Sequence, residues 1–223
     1  MWKKLRFALI AAVVLGGLAA AIYATYRASQ QVPEFYDEAL AIPVETQEKE
    51  SDLLLTQITT LHNEVQNKGR WSQEFKAQTI NAWLAVDLPR NHLALLPNGM
   101  HDPRVHISPQ GITLACQVER SGFHGVVSLQ VSAFVEADDV LGLRVHKARL
   151  GAIPWSFRTV LDKITEAAQR SNVDIRWRQA DSDPVALIKV ASARAGRKQI
   201  IHIDTIRLEE GALVVVGTTE IVR

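Results

Sequence analysis

The chain has 223 residues, 25 Lys+Arg against 24 Asp+Glu, a formal net charge of +1 and a single cysteine. One Cys excludes a disulfide scaffold and any Cys-based zinc or iron–sulfur site, and the near-zero charge gives no bulk electrostatic case for nucleic-acid binding. Apolar residues make up 47%, too many for a disordered chain, and the length allows one or two domains.

The first element is the uncharged run Phe7 to Tyr26, FALIAAVVLGGLAAAIYATY. Its twenty residues at ~1.5 Å rise make a helix of ~30 Å, the thickness of a bilayer's hydrocarbon core. Phe7, Leu9, Ile10, Val13, Val14, Leu15, Leu18 and Ile22 would face lipid, with Tyr23 and Tyr26 at an interface. Lys3, Lys4 and Arg6 precede the run and only Arg27 follows closely. The positive-inside bias therefore predicts a single-pass anchor in the cytoplasmic (inner) membrane, with the N-terminus cytoplasmic and the rest periplasmic or extracytoplasmic. The alternative is a cleaved signal peptide, against which the run is long and the helical pattern continues past it. No Cys stands near its end, which excludes a lipoprotein anchor. Beyond Arg27 there remain 21 basic and 24 acidic residues, so the outward part is net acidic.

Residues 28–52 read as an acidic stalk, with seven acids and one base from Glu34 to Asp52. Pro33 can open a short helix through Glu34–Leu40, and Pro43 ends it. An amphipathic helix is predicted over Ser51–Asn67, with Leu54, Ile58, Leu61 and Val65 on one face and Gly69 to stop it. Trp71, Gln73 and Phe75 alternate as a strand. Lys76–Leu88 returns to helix, with Ile80, Trp83 and Leu84 on one face and Pro89 as terminator. The outward domain spans 53–223, with a helical lead-in at 53–88 and the sheet part at 104–223.

After the loop Asn91–Pro103 come four strands, over Val105–Ser108, Gly111–Glu119, Val126–Ala137 and Val140–Arg149. Leu114, Cys116, Leu129, Val131 and Leu143 alternate with polar neighbours, as in an antiparallel sheet wet on one face and covered on the other. The cover is the predicted helix 156–171, whose apolar stripe includes Phe157, Val160, Leu161 and Ile164. Strands resume at Val173–Arg178, Val185–Ala191, Gln199–Glu209 and Leu213–Thr218, with hairpins through Ala195-Gly196 and Glu210-Gly211. The predicted fold class is α+β: an N-terminal transmembrane helix, then one domain with a curved antiparallel sheet wrapped around a long helix.

Motifs that carry chemistry are absent from the sequence: no Gly-rich phosphate loop, no nucleophile-elbow Ser, no HExxH. The cluster His92…His101-Asp102…His106 offers metal-ligand types without supporting spacing, and solvated loop histidines are the alternative. A hydrolase built on His101, Asp102 and His106 is a remote third reading. His202-x-Asp204 reads as a cross-strand surface pair. The sequence thus points to no catalytic residue, no metal and no cofactor. Arg194, Arg197 and Lys198 at one hairpin tip, and Arg144, His146, Lys147 and Arg149 on one strand, would meet anionic headgroups at about 1 kcal/mol per charge, or simply keep exposed strands soluble. Trp155, in the turn GAIPWSF, marks a membrane- or ligand-facing lip if exposed and core if buried.

The order of an anchor, a meander, a covering helix and more strands resembles bacterial anchored relatives of the tubular lipid-binding superfamily, the group of bactericidal/permeability-increasing-type domains. The phrases VPEFYDEAL, INAWLAVDLP, DPRVHIS and the GAIPWSF…DPVALI pair also resemble a family of uncharacterised single-pass bacterial envelope proteins. The first resemblance implies a groove holding acyl chains between sheet and helix. Phe157, Val160, Leu161, Ile164, Leu114, Leu129, Val131 and Leu143 would line it, and Trp155, Arg194, Arg197 and Lys198 would form its lip. The expectation is a non-enzymatic, membrane-anchored protein that meets the bilayer, binds a lipid or other apolar ligand, and binds no nucleic acid. The alternative is a structural envelope module that binds partner proteins.

Overall fold

The fold is that of a computed structural model describing residues 2–120, 123–137, 140–170, 173–181, 183–189 and 199–221; the side chains of 2–14, 120, 123, 157, 159, 160, 163, 167 and 199 lie outside that description. In chain order the elements are α1 (Trp2–Ser29), α2 (Glu34–Leu40), α3 (Val44–Val65), β1 (Gly69–Lys76), α4 (Ala77–Asn91), a 3-10 turn (Leu93–Leu95), β2 (Met100–Ser108), β3 (Gly111–Arg120), β4 (Phe123–Ala137), β5 (Val140–Leu150), β6 (Ile153–Pro154), α5 (Phe157–Arg170), β7 (Ile175–Ala180), β8 (Asp183–Lys189), β9 (Gln199–Glu209) and β10 (Ala212–Ile221). The class is α+β with a large antiparallel sheet.

That sheet has seven strands in the order β2-β3-β4-β5-β8-β7, with β6 paired to β5. Beside it stands a three-stranded sheet, β1-β10-β9. The strands after α5 therefore divide: β7 and β8 extend the first sheet, while β9 and β10 leave it and take up β1, from the far end of the chain. Period 2 dictates the faces. Leu129, Val131, Val145 and Ala148 point to one side and form a buried cluster with Ile112, Trp155, Leu161, Ile164 and Trp177. α5 covers this side and is held there by Trp177, whose Nε1 donates to Thr165 Oγ1 at 2.9 Å. The helix begins at Phe157, one residue later than predicted, and is described through Arg170; Ser171 lies outside the described residues.

Residues 28–52 do not form the expected solvated stalk. α2 docks on the other face of the sheet, where Tyr36 is fully buried with Ala115 and Val126, and Tyr36 Oη donates to the Asp102 carbonyl at 2.7 Å. The acids line the outer side of α2 while its two aromatics and Ala39 turn inward, a pattern that charge counting hides. α3 starts at Val44, seven residues earlier than predicted, because Pro43 presets the first turn and no breaker follows. Leu54 is buried while Ile58 stays exposed, so only part of the predicted apolar face is used. α4 runs through Pro89 to Asn91. The ring removes one N–H, but His92 N still donates to the Leu88 carbonyl at 2.9 Å and carries the last turn.

The end of α1 is fastened to the domain. Ala152 N donates to the Ala28 carbonyl at 2.8 Å, and Gln30 Nε2 donates to the His124 carbonyl at 2.8 Å. Gly151 makes the approach feasible: its φ is 58°, and a Cβ there would sit 2.5 Å from the carbonyl oxygens of Ala28 and Ser29. Among the described residues no helix is long and apolar enough to cross a membrane; the first part of the apolar run, through Val14, has its side chains outside the description. From Leu15 onward the side chains of Leu18, Ile22, Tyr23 and Tyr26 are more than half exposed.

Candidate functional site

Helix α5 does not seal the whole sheet face. An open cavity of about 250 Å³ remains between them, and its wall is almost wholly apolar. The sheet supplies Leu114, Cys116, Val127 and Leu129, α5 supplies Ile164, and Trp155 stands at the junction. Leu114 faces Leu129, and Cys116 faces Val127, across the β3–β4 ladder. The remaining wall comes from Leu84 of α4 and from Pro97, Met100 and Pro103.

Of the predicted groove lining, Leu114, Leu129 and Ile164 therefore meet at the cavity. Val131 and Leu161 are in the packed cluster beside it, and Leu143 is half-buried outside the wall. The side chains of Phe157 and Val160 lie outside the described residues. Trp155 is half-buried: it packs on the cluster and also forms part of the cavity wall. The other predicted lip residues, Arg194, Arg197 and Lys198, lie outside the described residues. The α4 and loop half of the wall escaped the sequence reading, because Leu84, Met100 and Leu114 are far apart in sequence and meet at the cavity only in the fold.

Two polar groups bound the cavity. Arg104 is buried, its Nη1 donates to the Pro103 carbonyl at 2.8 Å, and its Nε has no hydrogen-bond partner. Burial lowers its pKa, and the charge of Asp102 and the Tyr36 hydroxyl pull the other way. Since the wall is apolar, Arg104 contributes its aliphatic stem there. Burial pushes the Cys116 thiol up to about 11.

β2, the outer strand on this side, is capped by α4. Asn81 Nδ2 donates to the Val105 carbonyl at 2.8 Å, and the Val105 N–H donates to Asn81 Oδ1 at 2.7 Å. A side chain thus replaces a neighbouring strand and holds α4 against the cavity.

A second cleft, of about 330 Å³, opens under the end of α1 on the opposite, polar face of the sheet. Gln31, Val32 and Pro33 form one side, and Thr113, Ser128, Gln130, Lys147 and Arg149 the other. Beside it, from strands β4, β5 and β8, Ser132 Oγ lies 2.9 Å from His146 Nε2, and His146 Nδ1 lies 3.1 Å from Asp183 Oδ2. Sequence reading missed this chain of contacts.

The histidines of the predicted metal-ligand cluster stand elsewhere. His101 belongs to β2 and not to the predicted loop, His106 stands in the strand predicted there, and the His106 ring packs on Phe35 with centroids 5.3 Å apart. Asp204 accepts from Thr218 Oγ1 at 2.9 Å. Among the described residues no three His, Cys, Asp or Glu are placed to hold a metal. No protein family, curated protein or solved structure matches the chain.

Proposed function

We propose that this chain is a membrane-anchored protein whose outward domain holds an apolar ligand, such as one acyl chain of a lipid, between the sheet and α5. The supporting observation is the cavity itself: an open space walled by Leu114, Leu129, Trp155, Ile164 and Met100 with almost no polar atom exposed in it. Water gains few hydrogen bonds there, and an apolar chain would release it. At about 250 Å³ the cavity is smaller than the ~300–1,000 Å³ that encloses a drug-sized ligand. It takes part of one chain and not a whole diacyl lipid. The anchor is argued from the sequence run Phe7–Tyr26 and from the exposed apolar side chains between Leu15 and Tyr26. A helix apolar on its exposed sides needs a partner other than water. The order of elements, similar to tubular lipid-binding domains, agrees with this reading as an analogy of fold.

The full chain, extracted in mild detergent, should quench its tryptophan fluorescence on titration with a brominated fatty acid, and Trp155→Phe should remove most of the quenching. Native mass spectrometry should show a bound lipid at one per chain. Quenching unchanged in Trp155→Phe, with no retained lipid, refutes the reading. The scaffold alternative draws on the exposed Leu53, Leu55 and Ile58 of α3. Crosslinking in the native membrane to one stoichiometric protein partner, without lipid, would favour it.

A further inference from the structure

We infer that Ser132, His146 and Asp183 form a nucleophile, its base and the base's positioning residue, acting on carboxylic esters that carry a negative charge. The inference is independent of the apolar-ligand reading and concerns the other face of the sheet.

The geometry begins with the β4–β5 register. Gln130 pairs with Lys147 and Val131 with Val145, so His146 is an extra residue, a bulge in β5. Without it, His146 and Lys147 would point to opposite faces. The bulge turns both to the polar face, the re-aiming for which bulges are retained beside functional sites. His146 then reaches Ser132 on β4 and Asp183 on β8, each within the hydrogen-bond distance that a nucleophile–base–orienter set requires. The chemistry sets the direction of both bonds. A carboxylate only accepts, so His146 Nδ1 carries the proton and donates it to Asp183. In the neutral imidazole Nε2 is then left with its lone pair and accepts from the Ser132 hydroxyl. This is the tautomer that catalysis by a serine needs. The side chains of His146 and Asp183 are 33% and 27% exposed, so a substrate reaches them.

The reaction follows. Ser132 Oγ bonds to the ester carbonyl carbon while its proton passes to His146 Nε2, and the carbonyl electron pair moves onto oxygen. That pair returns as the carbon–oxygen bond to the alcohol breaks, and the alcohol leaves with the proton from Nε2. Water repeats the sequence on the acyl-Ser132, releasing the acid and restoring the hydroxyl. A cationic side chain beside Ser132 would stabilise the oxyanion. Arg144 stands directly opposite Ser132 in the register, on the same face. Lys147 and Arg149 line the adjoining cleft with the hydroxyl or amide groups of Thr113, Ser128 and Gln130. Among the described residues none of these three cations is in an ion pair. An anionic group on the substrate would seat there.

The full chain in detergent is incubated with a fluorophosphonate, and hydrolysis of p-nitrophenyl acetate is compared with that of the mono-p-nitrophenyl ester of succinate. One adduct per chain should form on the Ser132 peptide and vanish in Ser132→Ala and His146→Ala. Asp183→Asn should slow labelling and hydrolysis by on the order of 10³–10⁴-fold through kcat rather than KM, with Asp183→Glu recovering part. The succinate ester should be preferred, and Lys147→Gln with Arg149→Gln should erase the preference. No adduct at Ser132 in a sample with native near-ultraviolet circular dichroism overturns the inference. So does labelling that survives His146→Ala. Equal rates on the two esters would overturn the anionic class alone.

Discussion

Replacing Gly151 by Ala should release the end of α1 from the domain. Two costs combine there. A non-glycine residue at φ 58° sits in the left-handed region at roughly 1–2 kcal/mol. The new Cβ would also lie 2.5 Å from two backbone oxygens, those of Ala28 and Ser29, and backbone has no rotamer by which to give way. The junction must open, and the bond from Ala152 N to the Ala28 carbonyl is lost with it, worth a further 0.5–1.5 kcal/mol or so. The expected destabilisation is on the order of 2–3 kcal/mol. Gly211 supplies the control. Its φ is 72°, and nothing lies within 4 Å of the place a Cβ would take, so Gly211→Ala bears only the backbone cost, about 1–2 kcal/mol. The assay is urea denaturation in detergent followed by tryptophan fluorescence, paired with limited trypsin cleavage after Arg27. Gly151→Ala should be the less stable of the two and the faster cut. Equal midpoints and equal cleavage would mean that α1 is not docked and that residues 28–33 behave as a free spacer after all.

Asn81→Ala strips the edge of β2 of both its side-chain partners, leaving the Val105 N–H and carbonyl unpaired and buried; stability in urea should fall by about 2–4 kcal/mol, and Asn81→Asp, which sets a second acceptor against the Val105 carbonyl and buries a charge, should lose at least as much. Cys116, with its thiol pushed up to about 11 from 9.0, should be alkylated at pH 8 roughly 100-fold more slowly in the native chain than in urea, and a fatty acid in the cavity should slow it further. The same shift makes the folded state favour the protonated thiol. Its contribution to stability is complete below pH 9.0 and is lost as pH rises through about 11, which Cys116→Ala should abolish in an alkaline titration of the unfolding midpoint.

Local chemistry made much of this protein legible in advance. α5 shows its 3.6-residue stripe, β3 and β4 their strict alternation, and Glu210-Gly211 its hairpin, because each depends on neighbours a few residues away. Three of the predicted lining residues, Leu114, Leu129 and Ile164, meet at the cavity for the same reason: each lies on the inward face that its period assigns. The acidic segment misled because net charge says nothing about which side of a two-turn helix the aromatics occupy, and Tyr36 is buried although acids surround it in sequence. Ser132, His146 and Asp183 had one faint signal, a slip in the apolar phase of β5 between Val145 and Ala148 that marks the bulge.

The sequence by itself determined an apolar, basic-flanked N-terminal run, a near-neutral remainder without disulfides, and the face on which each strand and helix carries its apolar residues. Only the tertiary structure decided that β10 pairs with β1 across most of the chain, that Asn81 closes the edge of β2, that the acidic segment after α1 folds back as α2 against the sheet, and that α4 completes the cavity wall. Those pairings have no local cause. They follow from burying the apolar faces of separately formed elements together, and the register that results places a serine, a histidine and an aspartate from three strands within hydrogen-bond distance.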